Sequence, residues 1–336
     1  MIARYAIFFF FAMGVVVIPL VCALLCRWWL PRRLWRRAAL LVTLLVWAVV
    51  FYGHLVGFEQ LQVRRCEFAS SSLPPSFDGY RIVHISDAHV GTMTGRRQWM
   101  LERAVDSINA LRPDLIVFTG DLQNVWPDEL DSQLPLLRQL RARDGVVSVL
   151  GNHDYAVYQT GDSLAKAANC RRTIDAERRA GWQLLLNEYR IVRRGSDSIV
   201  VAGMENWSSV RRLPRRGDVA RTLSTPRPFA SAGSGTPSAV GAPFVVMLQH
   251  DPTCWREHIL SESNAQLTLS GHTHGGQLSL LGLSPAALAY REYAGWYYEG
   301  PRALHVSTGL GSLIPFRLGM PGEIVEITLR RQIVDH

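Results

Sequence analysis

Two uninterrupted apolar runs open the chain. Tyr5 to Cys26 carries no charged residue over 22 positions, and Ala38 to Phe58 none over 21. Each can cross the ~30 Å hydrocarbon core of a bilayer as a helix, so the pattern predicts two transmembrane helices, over about 5–26 and 38–58. From residue 80 the pattern changes to short β-branched blocks alternating with helical spacing. "YRIVHIS" (80–86) reads as a buried strand. The spacing of Trp99, Met100, Ala104, Ile108 and Leu111 predicts a helix over 97–111, ended by Pro113. "DLIVFTG" and "GVVSVLG" read as strands with a helix over about 128–142 between them. A helix over 161–180 follows, then the strands "SIVVAG", "FVVMLQH" and "AQLTLSG". Strands alternating with helices give an α/β core with at least some parallel pairing.

This divides the chain into a membrane anchor (1–58), a Ser- and Pro-rich linker (59–79) ending in "SSSLPPSFDGY", and an α/β domain (80–336). Residues 209–243, rich in Pro, Ser, Gly and Arg, read as a mobile surface insertion in that domain. Between the apolar runs lies "RWWLPRRLWRR", with Arg27, Arg32, Arg33, Arg36 and Arg37. The positive-inside rule keeps this loop in the cytoplasm and places everything after Phe58 on the outer side of a bacterial inner membrane. A cleavable signal peptide fits poorly: the first run is too long and no small-x-small site follows it. A twin-arginine signal at "RRLWRR" gives the same sidedness.

Charge adds little. The net +8 is almost all arginine, Lys166 being the one lysine, so basicity looks like a coding bias and no nucleic-acid partner is expected. Of the five cysteines, Cys22 and Cys26 lie in the first run. Cys66, Cys170 and Cys254 are scattered without CxxC spacing, which excludes a disulfide framework or zinc knuckle.

The residues that follow each strand change the picture. They are Asp87 and His89 after "RIVHIS", Asp121 after "LIVFTG", and Asn152, His153 and Asp154 after "VVSVLG". "FVVMLQ" runs into His250, and "QLTLSG" into His272 and His274. Ligands of open α/β sheets bind at the C-terminal strand edge. One Asp there is usually a turn or cap; five strands delivering Asp, Asn or His are hard to ascribe to capping. Oxygen and imidazole donors without thiolates suit a pair of Mn, Fe or Zn ions. Such a pair needs a bridging carboxylate, and Asp121, alone in its loop, is the candidate. Alternation along an extended strand end puts Asp87 and His89 on one face, and "HTH" repeats that geometry.

"SDAH", "GD", "GNHD", a strand-end His and "GHTH", in this order, resemble the calcineurin-like metallophosphoesterase superfamily. "GHTHGGQ" and "VSTGLGSLIPFRLGMPGEIVEITL" are similar to its bacterial membrane-associated phosphodiesterase branch, which includes proteins resembling UDP-2,3-diacylglucosamine hydrolases. The resemblance implies a four-layer αββα sandwich, here preceded by two transmembrane helices, and two divalent metal ions. It implies Asp87, His89 and His274 as ligands of one ion and Asn152, His250 and His272 of the other, with Asp121 bridging. His153 would be the catalytic histidine at the leaving group, and Asp154 its orienting partner.

The implied activity is hydrolysis of a phosphodiester or pyrophosphate bond by metal-hydroxide attack, in a lipid or lipid-linked substrate within reach of membrane lipids. A lipid A precursor hydrolase would work in the cytoplasm, which conflicts with the sidedness above. A receptor sensing a phosphorylated ligand is the rival reading, and it has no need of His153. A nuclease, favoured by basicity alone, is the third. His54 reads as interfacial, His84 as core, Cys254 and Trp255 as packing, and "YREYAGWYYEG" (290–300) as a packed aromatic loop or a lipid contact.

Overall fold

A computed structural model describes residues 2–226 and 243–332. Helices α1 (Ile2–Ala12) and α2 (Ile18–Trp29) run on through a π-helical turn, Met13–Val17, and α3 (Arg32–Tyr52) returns antiparallel and ends in a second π turn, Gly53–Gly57. The pair approaches closely at Gly14, where a Cβ would meet a Val50 methyl at 2.8 Å. Small residues at such crossings let helix backbones pack. Ile7–Trp29 and Arg33–Gly57 are long and apolar enough to cross a membrane, and their outward faces expose Leu20, Leu24, Leu41 and Leu45.

The rest is the expected four-layer sandwich. One sheet has the order β1-β12-β2-β3-β4-β5, from β1 (Leu61–Ser70), β2 (Arg81–Ile85), β3 (Leu115–Phe118), β4 (Val146–Ser148), β5 (Gln183–Leu184) and β12 (Gly322–Arg331). The other has the order β10-β11-β9-β8-β7-β6, from β6 (Glu188–Arg194), β7 (Asp197–Gly203), β8 (Val245–Leu248), β9 (Leu267–Ser270), β10 (Gly295–Glu299) and β11 (Arg302–Val306). The helices are α4 (Gln98–Ala110), α5 (Asp128–Asp131), α6 (Leu134–Leu137), α7 (Ser163–Arg179), α8 (Val219–Ser224) and α9 (Leu260–Glu262).

Ile82, Val117, Val147, Val246, Leu267 and Val325 fill the space between the sheets. Leu101, Val105, Ile108 and Ala176 cover the outer face of the first sheet, and Trp255, Ile259 and Val219 that of the second. Strands β3, β4, β8 and β9 are buried on both faces, which is why they read as unbroken apolar blocks.

Three expectations change. Residues 59–79 are not a plain linker: β1 pairs in parallel with β12 along ten residues, from Leu61 opposite Gly322 to Ser70 opposite Arg331. Phe58, at the end of the second apolar run, is buried in the first sheet's core. The helix over 128–142 breaks into α5 and α6, and Pro135, in the first turn of α6, has no N–H to continue a longer helix. Of the insertion at 209–243, residues 209–226 form a turn and α8, capped by Asp218 accepting from Arg221 N–H at 2.8 Å. Residues 227–242 lie outside the described residues.

Candidate active site

The strand ends converge as expected, though not by extended geometry. Asp87 (φ 50°), His89 (44°), Asp121 (60°), His272 (72°) and His274 (53°) all adopt left-handed backbone. That conformation costs a non-glycine residue about 1–2 kcal/mol, and clusters of it mark functional sites. Alternation therefore does not place these residues. The two histidines of "HTH" face different groups: Asp87, His89 and His274 bring donor atoms within 4.8 Å of one another, and so do Asp121, His250 and His272. A third such group is His89, Asp121 and His153.

Asp121 stands at the centre. Its Oδ2 lies 3.3 Å from His250 Nε2, 3.7 Å from His89 Nε2 and 3.9 Å from His153 Nε2. Its Oδ1 accepts the His153 backbone N–H at 2.8 Å. Asn152 Oδ1 sits 3.1 Å from His250 Nε2, and His274 Nε2 sits 3.5 Å from Asp87 Oδ1. Two glycines allow this density. A Cβ on Gly151 would lie 2.2 Å from Asp121 Oδ1, and one on Gly271 2.2 Å from Asp87 Oδ2.

The second layer fixes tautomers. His250 Nδ1 is 2.7 Å from the Thr119 carbonyl, which can only accept, so Nδ1 carries a proton and it is Nε2 that faces Asp121. His153 Nδ1 bonds in the same way to the Asn124 carbonyl, turning Nε2 toward Asp121. The Tyr158 ring packs over His153, centroids 4.3 Å apart.

Asp154 does not take the expected place beside the His153 imidazole. Its Oδ2 accepts the N–H groups of Asp121 (2.7 Å) and Gly151 (2.9 Å), and its Oδ1 those of Leu122 (3.0 Å) and Gln123 (3.3 Å). It braces two loops; the carbonyl of Asn124 orients the ring. Sequence reasoning also missed Asp251, buried with Oδ2 3.5 Å from His272 Nε2, and Tyr290, whose hydroxyl is 3.0 Å from the same nitrogen. "QHD" was the available signal for Asp251; nothing in the sequence marks a backbone carbonyl at Asn124.

Does this donor set fit metal ions? Among the described residues neither ring nitrogen of fully buried His89 has a hydrogen-bond partner, and the same holds for Nδ1 of His272 and His274 and for Oδ2 of Asp251. Burial, then neighbouring positive groups, hold His89 and His274 well below the ordinary imidazole range, and burial lowers His272 as well. They are therefore neutral lone-pair donors. Burial opposes charge on Asp121, but His250, His153 and His89 outweigh it and keep this carboxyl well below the usual range. His250, although buried, is raised to about 10, chiefly by Asp121. Burial pushes Asp87 up to about 6. Orphaned buried nitrogens beside buried carboxylates, which are costly when uncompensated, fit divalent cations.

The residues read as structural stay so. His84 is buried with Nε2 2.9 Å from Thr119 Oγ1, and Cys254 and Trp255 pack under the second sheet. His54 Nδ1 is 2.6 Å from the Pro315 carbonyl, at the junction of α3's end with the sandwich. The aromatic stretch 290–300 contains β10, whose Trp296 packs toward the core between the sheets.

Comparison with known proteins agrees with this geometry. The chain is 28% identical to a zebrafish (Danio rerio) transmembrane protein with metallophosphoesterase domain, over 88% of this chain and 63% of that protein. It therefore spans under two thirds of that relative's length. It is 30% identical to the uncharacterized metallophosphoesterase YkuE of Bacillus subtilis, over 83% of this chain and 90% of that one. Against the UDP-2,3-diacylglucosamine pyrophosphatase LpxG of Chlamydia trachomatis it is 28% identical, over 75% of this chain and 85% of the relative. Residues 80–276 match the calcineurin-like phosphoesterase family model, and the chain belongs to that family of metal-dependent hydrolases.

Proposed function

We propose that this protein is a membrane-anchored dimetal phosphoesterase that hydrolyses a phosphodiester or pyrophosphate bond in a lipid or lipid-linked substrate. One observation carries the reading: a single buried carboxylate, Asp121, belongs to two donor groups at once, with His89 and His153 on one side and His250 and His272 on the other. Asp87, His89 and His274 would hold one ion and Asn152, His250 and His272 the other, with Asp121 shared. Two divalent ions supply positive charge for the phosphoryl oxygens and a nucleophile from water near neutral pH.

The chain's own residues do the rest. With Nδ1–H committed to the Asn124 carbonyl, His153 meets substrate through Nε2. As imidazolium it holds a proton there for the departing oxygen. Asp154 keeps the loops of Asp121 and Gly151 in register through four N–H bonds. Tyr158 and Tyr290 wall the site beside His153 and His272.

The lipid-linked substrate draws support from the LpxG relatives' pyrophosphatase names and from the two apolar helices joined directly to the sandwich. The five-arginine loop keeps the opposite end of the hairpin in the cytoplasm, so on this reading the catalytic domain faces the outer side and its lipid-linked substrate is one other than the cytoplasmic lipid A precursor. The test is hydrolysis of bis-p-nitrophenyl phosphate and of p-nitrophenyl phosphate by metal-free protein titrated with Mn, Fe and Zn. The expected result is metal-dependent turnover with the diester preferred, lowered by about 10²-fold or more in His153→Ala and Asp121→Ala. No turnover of either ester with any metal would overturn the proposal.

A further inference from the structure

Just beyond the "HTH" turn lies a segment the site does not use. Residues 278–289, "LSLLGLSPAALA", contain no charge, and four of their leucines point away from the protein: Leu281 is 96% exposed, Leu288 93%, Leu283 78% and Leu280 66%. Single exposed leucines are ordinary, but four on one loop form an apolar patch that wants a partner.

The loop is built rather than slack. Leu280 and Leu283 exchange backbone bonds of 2.9 Å in both directions, closing a two-residue hairpin. Leu281 (φ 52°) and Gly282 (φ 81°) occupy its tip in left-handed conformation, the geometry of a tight hairpin turn. Ser284 caps the next turn, accepting from Ala286 N–H at 3.1 Å and donating to the Gly275 carbonyl at 2.7 Å.

Its root pairs with Leu318, in a segment whose neighbouring residues pack on the end of the helical hairpin. Leu318 N–H donates to Gln277 O at 2.9 Å, and Ser279 N–H to Leu318 O at 2.8 Å. The neighbouring Arg317 N–H donates to Gly53 O at 3.0 Å. Phe316, one residue further, packs on Phe10 with centroids 5.0 Å apart. Gly53 and Phe10 both belong to the two membrane-length helices. The Leu281 tip is two residues from Ser279, so it lies within about 8 Å of that root. Both ends of the loop also reach the site. Gln277 follows His274 by three positions, and Tyr290 bonds His272.

We infer that this leucine hairpin is seated in the lipid beside the two helices, as a third, non-spanning contact that sets the mouth of the site at headgroup level. The inference rests on the membrane anchoring proposed above. The occupant is the bilayer, because the patch continues the apolar surface of helices that meet lipid on that reading.

The test uses the full chain in nanodiscs, with Cys22, Cys26, Cys66 and Cys170 replaced by Ala and the buried Cys254 kept. Single nitroxide labels go on Leu281→Cys, Leu283→Cys and Leu288→Cys, with Leu41→Cys on the outward face of α3 as the anchoring control and Glu102→Cys as the aqueous control. Collision with oxygen and with a water-soluble nickel chelate is then measured. The expected result is that at least the Leu281 and Leu283 labels favour oxygen over the chelate, as the Leu41 label does, while the Glu102 label favours the chelate. If the Leu281 and Leu283 labels resemble Glu102 while Leu41 resembles lipid, the inference is overturned and the anchoring stands. If Leu41 is aqueous, the anchoring itself fails. Loop labels shielded from both agents, with spin–spin broadening between copies, would assign the patch to a second protein chain and overturn the inference.

Discussion

Replacing Asp154 by Asn tests the bracing role most sharply. The side chain keeps its shape and exchanges one carboxylate oxygen for an NH2 group. Each oxygen serves two backbone donors: Asp121 and Gly151 on Oδ2, Leu122 and Gln123 on Oδ1. Whichever way the amide settles, two buried N–H groups then face a donor. An unsatisfied buried group costs about 1–3 kcal/mol, giving roughly 2–6 kcal/mol in all. Asn also relieves the burial of charge beside Asp121, the two effects that push Asp154 up to about 7, so the net loss belongs in the lower half of that range. At about 2 °C per kcal/mol for a domain of this size, thermal unfolding should fall by roughly 4–8 °C. The assay is a melt of metal-free protein in detergent, with His153→Asn measured alongside. If Asp154 instead oriented the His153 ring, Asp154→Asn would lose turnover while melting within 1 °C or so of the parent. That result would refute the bracing argument.

Two further outcomes follow from burial and from the donor set. Burial, and then Arg64, hold His305 down to about 3 on β11. Between about pH 6.5 and 3 the unfolded chain takes up a proton that the folded chain refuses. Stability is therefore full above pH 6.5 and falls with acidity, by about 2 kcal/mol at pH 5 from this residue alone; His305→Gln should flatten the pH dependence of the melting temperature over that interval. Chelation should lower the melting temperature, because His89 then stands fully buried with both nitrogens unpartnered. Re-adding metal at about 100 times its dissociation constant should restore roughly 2.7 kcal/mol, measurable by the same melt, and no metal-dependent shift would count against the ligand set.

The sandwich was legible because its central strands are buried on both faces and announce themselves as apolar blocks ending in Asp, Asn or His. Strand β1 was not. Arg64, Arg65 and Glu67 interrupt its apolar positions, as suits an edge strand, and Arg64 and Arg65 pair with Glu323 and Glu326 at 3.1 and 3.0 Å. Those partners lie on β12, far along the chain, where local pattern carries no information. The donor groups that the structure brings together were legible from the chemistry of the strand ends, but their conformation was not. Left-handed backbone at Asp87 is accommodated by Gly271 and Gly309, where any side chain would press against it, and such neighbours are distant in sequence. Asp154 was misplaced for a related reason. Its partners are backbone N–H groups, which every residue possesses and no motif displays.

The pairing of β1 with β12 also governs how the molecule comes into being. Arg65 meets Glu326 across a separation of 261 residues, and such long-range parallel pairing forms slowly. During synthesis β1 emerges directly behind the apolar hairpin and waits, its edge unpaired, until β12 is made. An unpaired edge is a template for other chains. The charged residues that disguise β1 as a linker therefore act as its protection: a newborn strand rich in arginine resists association until its own partner arrives.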